Sequence, residues 1–239
     1  MSPCRVRLFG IDGCRAGWVI ASSDPGLGAL DFQVVPDLRS ALGEAAAGRA
    51  VLAVDVPIGL AASWPRAADV EARRFLGAPR ASSVFPSPSR ATLAARSYRD
   101  ACARNRSATG RRVSRQLWGI LPKIAEADRL MTPALQARVR EAHPEVTFAV
   151  LAGRGRGLEH AKKTPAGERE RLAVLRPFVP AFDPGAVRRA LGAHTVARDD
   201  IVDAVALLVS AGRIHAGRAR VFPPAPATDR RGLRMEIVA

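Results

Sequence analysis

Lysine is nearly absent from this chain. It occurs only at Lys123, Lys162 and Lys163, so 34 of the 37 cationic residues are arginine. With abundant alanine, this is the pattern that a GC-rich genome writes into any protein. Cysteine is equally sparse: Cys4, Cys14 and Cys102 are too few and too scattered for a disulfide framework or a zinc ribbon. With four histidines and no H-E-x-x-H or paired C-x-x-C, a zinc centre is disfavoured. The phosphate loop G-x-x-x-x-G-K-[ST] and the nucleophile elbow G-x-S-x-G are also missing. No apolar run approaches the roughly 18 residues of a membrane-spanning helix. The start, Met1-Ser2-Pro3-Cys4-Arg5-Val6-Arg7, leads directly into a strand rather than a signal sequence. No membrane partner is expected, and a reducing cytoplasm is the expected setting.

What is present is a basic chain with material for a core. Its 239 residues are 48% hydrophobic, enough for one large domain, or one domain with an insertion. Lys and Arg outnumber Asp and Glu by 37 to 22, a formal charge of +15 that favours polyanionic partners, nucleic acid first among them.

The pattern along the chain is α/β. Arg5–Ile11 reads as a buried strand, Gly17–Ser22 as a second and Leu30–Val35 as a third, close enough for an antiparallel meander. Leu38–Ala47 reads as a helix with Asp37 as N-cap, and Ala50–Val54 as a central strand. Strand, strand, strand, helix, strand is the opening order of an RNase H-like fold, in which the first strand and the strand after the first helix lie side by side. Residues 61–140 read as a largely helical insertion or cap, with helices at Ala67–Leu76, Ala91–Arg104, Ile124–Met131 and Pro133–Glu141. Two Pro/Ser/Arg-rich loops, Ala78–Arg90 and Asn105–Arg112, interrupt it. Glu145–Leu151 then reads as a strand. Helices follow at Gly167–Leu175, Pro184–Leu191 and Asp200–Ala211, with short strands at Arg220–Phe222 and Leu233–Val238.

Against this pattern the aspartates stand out. Asp12 ends the run Leu8-Phe9-Gly10-Ile11, and Asp55 ends Val51-Leu52-Ala53-Val54. Burying a carboxylate costs several kcal/mol unless a cation or hydrogen bonds compensate it. If the two strands are neighbours, two anions meet at their ends, which calls for a cation between them. Asp12 alone is also consistent with a turn residue that bonds its own loop, and Asp55 with a carboxylate satisfied by loop amides or an arginine. Asp199 and Asp200 open a helix and suit its dipole, but Asp203 shares the face of Asp200 and is followed by Ala204-Val205-Ala206-Leu207-Leu208, an inward face. Oxygen ligands alone point to Mg²⁺ or Mn²⁺.

Weaker candidates surround these. Glu145 reads as a fourth ligand or a structural acid, and His143 as a base or phosphate contact. Lys123 at a helix start suits a phosphate. Ser82–Arg90 offers hydroxyls and Arg90 to a polyanion. Arg115 and Trp118 offer a cation and a stacking ring, with Trp118 equally suited to the core.

The motifs Gly10-Ile-Asp-Gly-Cys-Arg-Ala-Gly-Trp-Val19, Asp55-Val-Pro-Ile-Gly-Leu60, Ala72-Arg-Arg-Phe-Leu-Gly77, Ser82-Ser-Val-Phe-Pro86, Gln116-Leu-Trp-Gly-Ile-Leu-Pro-Lys-Ile124, His143-Pro-Glu-Val-Thr-Phe148 and Asp199-Asp-Ile-Val-Asp-Ala204 together resemble the DUF429 family. Its members are described as predicted nucleases with an RNase H-like fold, and the resemblance runs from about Gly10 to Ala211. The ending Asp200-x-x-Asp203-Ala is also similar to the last motif of Holliday-junction resolvases of that superfamily. The resemblance implies that Asp12, Asp55 and Asp203 bind metal and that Asp200 assists, with Glu145 carried over as a family-motif residue. The expectation is a nuclease acting on DNA or RNA through Mg²⁺ or Mn²⁺. Two alternatives remain: a non-catalytic nucleic-acid-binding protein of the same fold, and an actin-like phosphate- or nucleotide-handling enzyme. The latter needs a second glycine-rich phosphate turn, which the sequence does not offer.

Overall fold

The computed structural model describes residues 6–62 and 65–239. Five strands form one mixed sheet: β1 (Arg7–Cys14), β2 (Gly17–Ser23), β3 (Asp31–Val35), β4 (Ala50–Val54) and β5 (Val139–Glu141). Their order is β3-β2-β1-β4-β5. The first three strands make the expected antiparallel meander, and β1 and β4 run parallel side by side. Arg5, where the expected first strand begins, lies outside the described residues.

Strand alternation divides the chain between two cores. Phe9, Ile11, Leu52 and Val54 point to one face, where α1 (Arg39–Ala46) and α4 (Arg115–Leu130) pack. Leu8, Val51 and Ala53 point to the other, under α8 (Arg198–His215). The start of α1 is held by Asp37, which accepts from the Ser40 N–H at 3.0 Å. From Ile201 to Ala211 every residue of α8 is buried. A helix apolar all round must be enclosed, and this one lies between the sheet and α5 (Pro144–Leu151), α6 (Pro165–Leu175) and α7 (Pro184–Leu191).

The remaining described elements are α2 (Ala67–Leu76), α3 (Tyr98–Thr109), β6 (Val221–Phe222) and β7 (Ile237–Val238). With two 3-10 turns, Arg80–Ser83 and Arg90–Ala94, the helices α2, α3 and α4 make up most of the stretch read as a helical insertion. Among the described residues no helix is long and apolar enough to cross a membrane. Cys14 and Cys102 are buried free thiols.

Three expectations are corrected. Pro133–Glu141 is not a helix: a 3-10 turn at Leu135–Ala137 gives way to β5, which adds to β4 in parallel. Glu145–Leu151 is not a strand. Pro144 stands at the first helical position, where its fixed φ favours a helix, and Pro144–Leu151 is helical. Short apolar runs buried on all sides carry no period that separates the two. The Ser82–Arg90 loop does not offer all its hydroxyls to solvent either, although Ser82 and Phe85 are exposed. Ser87 and Ser89 are buried, and their N–H groups donate to Asp69 at 2.8 Å and Asn105 at 2.9 Å.

The contact of α8 with β1 leaves no room at Gly10. A Cβ there would fall inside the contact distance of the Ala204 carbonyl and the Leu208 nitrogen. Gly10→Ala is expected to lower stability by about 1–3 kcal/mol in chemical denaturation, because rigid helix backbone must move to admit the methyl.

Candidate active site

Strand parity brings the aspartates together. Leu8 pairs with Val51 and Gly10 with Ala53, so Asp12 and Asp55 extend the same two rows on the α8 face. The Asp55 N–H donates to the Ile11 carbonyl at 2.9 Å, carrying the ladder one step past β4. Asp203 sits one turn into α8, where Gly10 lets the helix approach. Asp12, Asp55 and Asp203 all line one cavity of about 490 Å³, together with Glu145, His143, Glu141 and all three lysines of the chain.

Two of the three carboxylates are buried, and Asp55 is half-buried. Asp12 is 7% exposed and Asp203 is 2% exposed. Burial pushes the Asp12 carboxyl well above its usual range, and the negative charges of Asp55 and Asp203 push it further. The Gly13 N–H donates to Asp12 Oδ1 at 2.8 Å, which compensates part of this. Burial likewise raises Asp203 to about 6, although Lys162 opposes it. Asp203 Oδ1, Glu145 Oε2 and His143 Nδ1 are buried without a hydrogen-bond partner. Orphaned buried polar atoms are few in folded proteins, and here four of them, counting Arg80 Nε, belong to residues of one cavity.

The counter-cation is Lys162. Its Nζ lies 2.7 Å from Asp203 Oδ2 and 3.5 Å from Asp199 Oδ2. Burial would pull this ammonium down, but Asp203 and Asp12 outweigh it, and Lys162 stays charged far above the usual lysine range. Lys123 Nζ donates to the Gly17 carbonyl at 2.5 Å and lies 4.6 Å from the centre of the Trp18 ring. A Cβ at Gly13 would come within 2.9 Å of the Lys123 Cδ, so this glycine seats the lysine. Lys163 is exposed at the same cavity.

The other expected residues divide. Glu145, in the first turn of α5, is ion-paired with the fully buried Arg171. Asp200 accepts from the Ala197 N–H at 3.1 Å, holds the start of α8 and does not line the cavity. Arg90 is engaged by Asp128 and Asp229 and lies away from the cavity. Arg115 lies over the Tyr98 ring at 3.9 Å, and Trp118 meets the edge of that ring. Neither lines the cavity.

Several cavity residues escaped the sequence reading. Arg66, Asp69 and Glu141 form a buried cluster, in which Arg66 pairs with Asp69 at 2.6 Å and Glu141 at 2.5 Å. Burial raises Glu141 to about 7 despite that arginine. Nothing local in the sequence marks these three. The lysines did carry a signal. In a chain where arginine has replaced lysine almost everywhere, the three surviving lysines gather at one site, where a compact point charge differs from a guanidinium fork.

Among the described residues, no group of three or more His, Cys, Asp or Glu is drawn together closely enough to hold a metal ion as it stands. The donors nevertheless suit a hard divalent cation: they are carboxylate oxygens, Asp203 Oδ1 is unpartnered, and Asp12 is repelled by both neighbours.

This repulsion has a stability signature. As pH rises above the usual carboxylate value of 3.8, the unfolded chain loses the Asp12 proton while the folded chain resists losing it, so folding weakens. Asp12→Asn is therefore expected to raise the melting temperature at about pH 8, by roughly 2–4 °C if on the order of 1 kcal/mol is recovered. The gain should vanish below about pH 3, where the carboxyl is largely protonated in both states. Differential scanning calorimetry of both proteins across this range checks it.

The DUF429 family model, described as a protein of unknown function, matches residues 10–228. No curated protein and no solved structure matches the chain.

Proposed function

We propose that this chain, which belongs to the DUF429 family, is a metal-dependent nuclease built on an RNase H-like fold. The carrying observation is that three aspartates, two next to each other across β1 and β4 and one from α8, line a single cavity under mutual repulsion. The strand order and the side-by-side β1 and β4 support the fold assignment.

In this reading Asp12, Asp55 and Asp203 hold Mg²⁺ or Mn²⁺. A divalent ion held by these carboxylates would supply Lewis-acid chemistry to a phosphodiester, stabilising developing charge and activating a nucleophile. The chain's own groups do the rest. Asp203 offers its unpartnered Oδ1, while its Oδ2 stays with Lys162. Lys162 keeps the acid cluster from carrying its full negative charge toward an anionic substrate. His143, whose Nδ1 is free of partners, is placed to take up a proton. Glu145 is tied to Arg171 and fixes the first turn of α5 beneath His143. Asp200 secures the start of α8 and so positions Asp203. Lys123 and Lys163 supply positive charge to a DNA or RNA backbone.

Lys162 also favours a second reading. An ammonium already seated against Asp203 can stand in for the metal, and the chain then binds nucleic acid without cleaving it.

Cleavage assays on DNA and RNA with Mn²⁺ separate the two. The nuclease reading expects cleavage that chelation abolishes and that falls to background in Asp12→Asn and Asp55→Asn. Cleavage unchanged in both variants contradicts it. Salt-sensitive binding that survives chelation and both substitutions, without cleavage, supports the binding protein.

A further inference from the structure

We infer that the cavity receives one unpaired nucleobase, so that the substrate is single-stranded nucleic acid. This rests on the nucleic-acid reading above and adds to it the form of the substrate. Among the described residues, two large hydrophobic side chains are exposed, Phe85 at 37% and Ile120 at 39%. A single exposed apolar side chain needs no explanation. Here both line the same cavity as the aspartates. They come from separate segments, Phe85 from the loop after the Arg80–Ser83 turn and Ile120 from α4. Leu117, one helical turn before Ile120, extends the apolar wall.

The cavity thus joins two chemistries. Carboxylates and lysines gather where the strands end, and an aromatic ring with aliphatic neighbours comes from the helical segment above. A nucleotide has the same division, a charged phosphate and a flat apolar face. At about 490 Å³ the space lies within the range that holds small ligands, roughly 300–1,000 Å³. A base inside a duplex has both faces covered by its neighbours and cannot offer one to Phe85. An unpaired base can, and stacking on an aromatic ring tolerates any base.

The test is fluorescence anisotropy of the full chain with three labelled probes: a short single strand, the same strand with abasic sites, and its duplex. The single strand is expected to bind at least about 10-fold more tightly than the abasic strand or the duplex. Phe85→Ala and Ile120→Ser alter exposed side chains, and circular dichroism confirms their folding. Each is expected to bring the single strand toward the abasic level while leaving abasic binding unchanged. Equal affinity for all three probes, or equal losses on base-bearing and abasic strands, overturns the inference and leaves the nuclease reading standing. Failure to bind any of the probes overturns both.

Discussion

Helix α8 lies on the sheet at Gly10, and the candidate site exists because of that contact. Without a side chain at Gly10, helix backbone reaches strand backbone, and Asp203 comes down beside the strand-end aspartates. The apolar length of α8 keeps it there, enclosed on every side from Ile201 to Ala211. Hydrophobic burial therefore holds together charges that repel one another. The raised protonation of Asp12 and Asp203 reflects this conflict, and Lys162 relieves only part of it. Electrostatic strain of this kind clusters at functional sites, though structural ion pairs produce it too.

The two kinds of cation divide the molecule. Arginines clamp it internally. Arg66 joins the loop after β4 to α2 and β5, Arg171 joins α6 to α5, and Arg140 reaches Glu236 near the end of the chain at 2.5 Å. Arg90 binds α4 to Asp229 in the C-terminal segment. Such pairs contribute specificity more than net stability, because desolvation offsets much of their attraction. The three lysines, by contrast, all belong to the cavity.

The central sheet was legible because its strands follow simple rules. Apolar runs marked β1 to β4, and an aspartate at the end of β1 and of β4 marked where two anions would meet. Asp203 was legible because a second-turn carboxylate on an apolar helix has no capping role to explain it. β5 was not, since Val139-Arg140-Glu141 is too short to show a period, and its place in the sheet is set by β4. Helix α5 was misread because a run buried on all sides looks the same in either conformation. Lys162 and the Arg66 cluster depend on contacts between segments far apart in sequence, which no local pattern encodes. Arg90 drew attention as a loop cation, yet its carboxylate partners lie 38 and 139 residues away.

The central claim is that Asp12, Asp55 and Asp203 form a divalent-cation site. Calorimetric titration of Mn²⁺ into the protein and into Asp55→Asn tests it most directly. Saturable binding that disappears in the variant is the predicted result. Binding of equal strength in both, or none in either, would contradict it and leave Lys162 as the resident cation of the cluster.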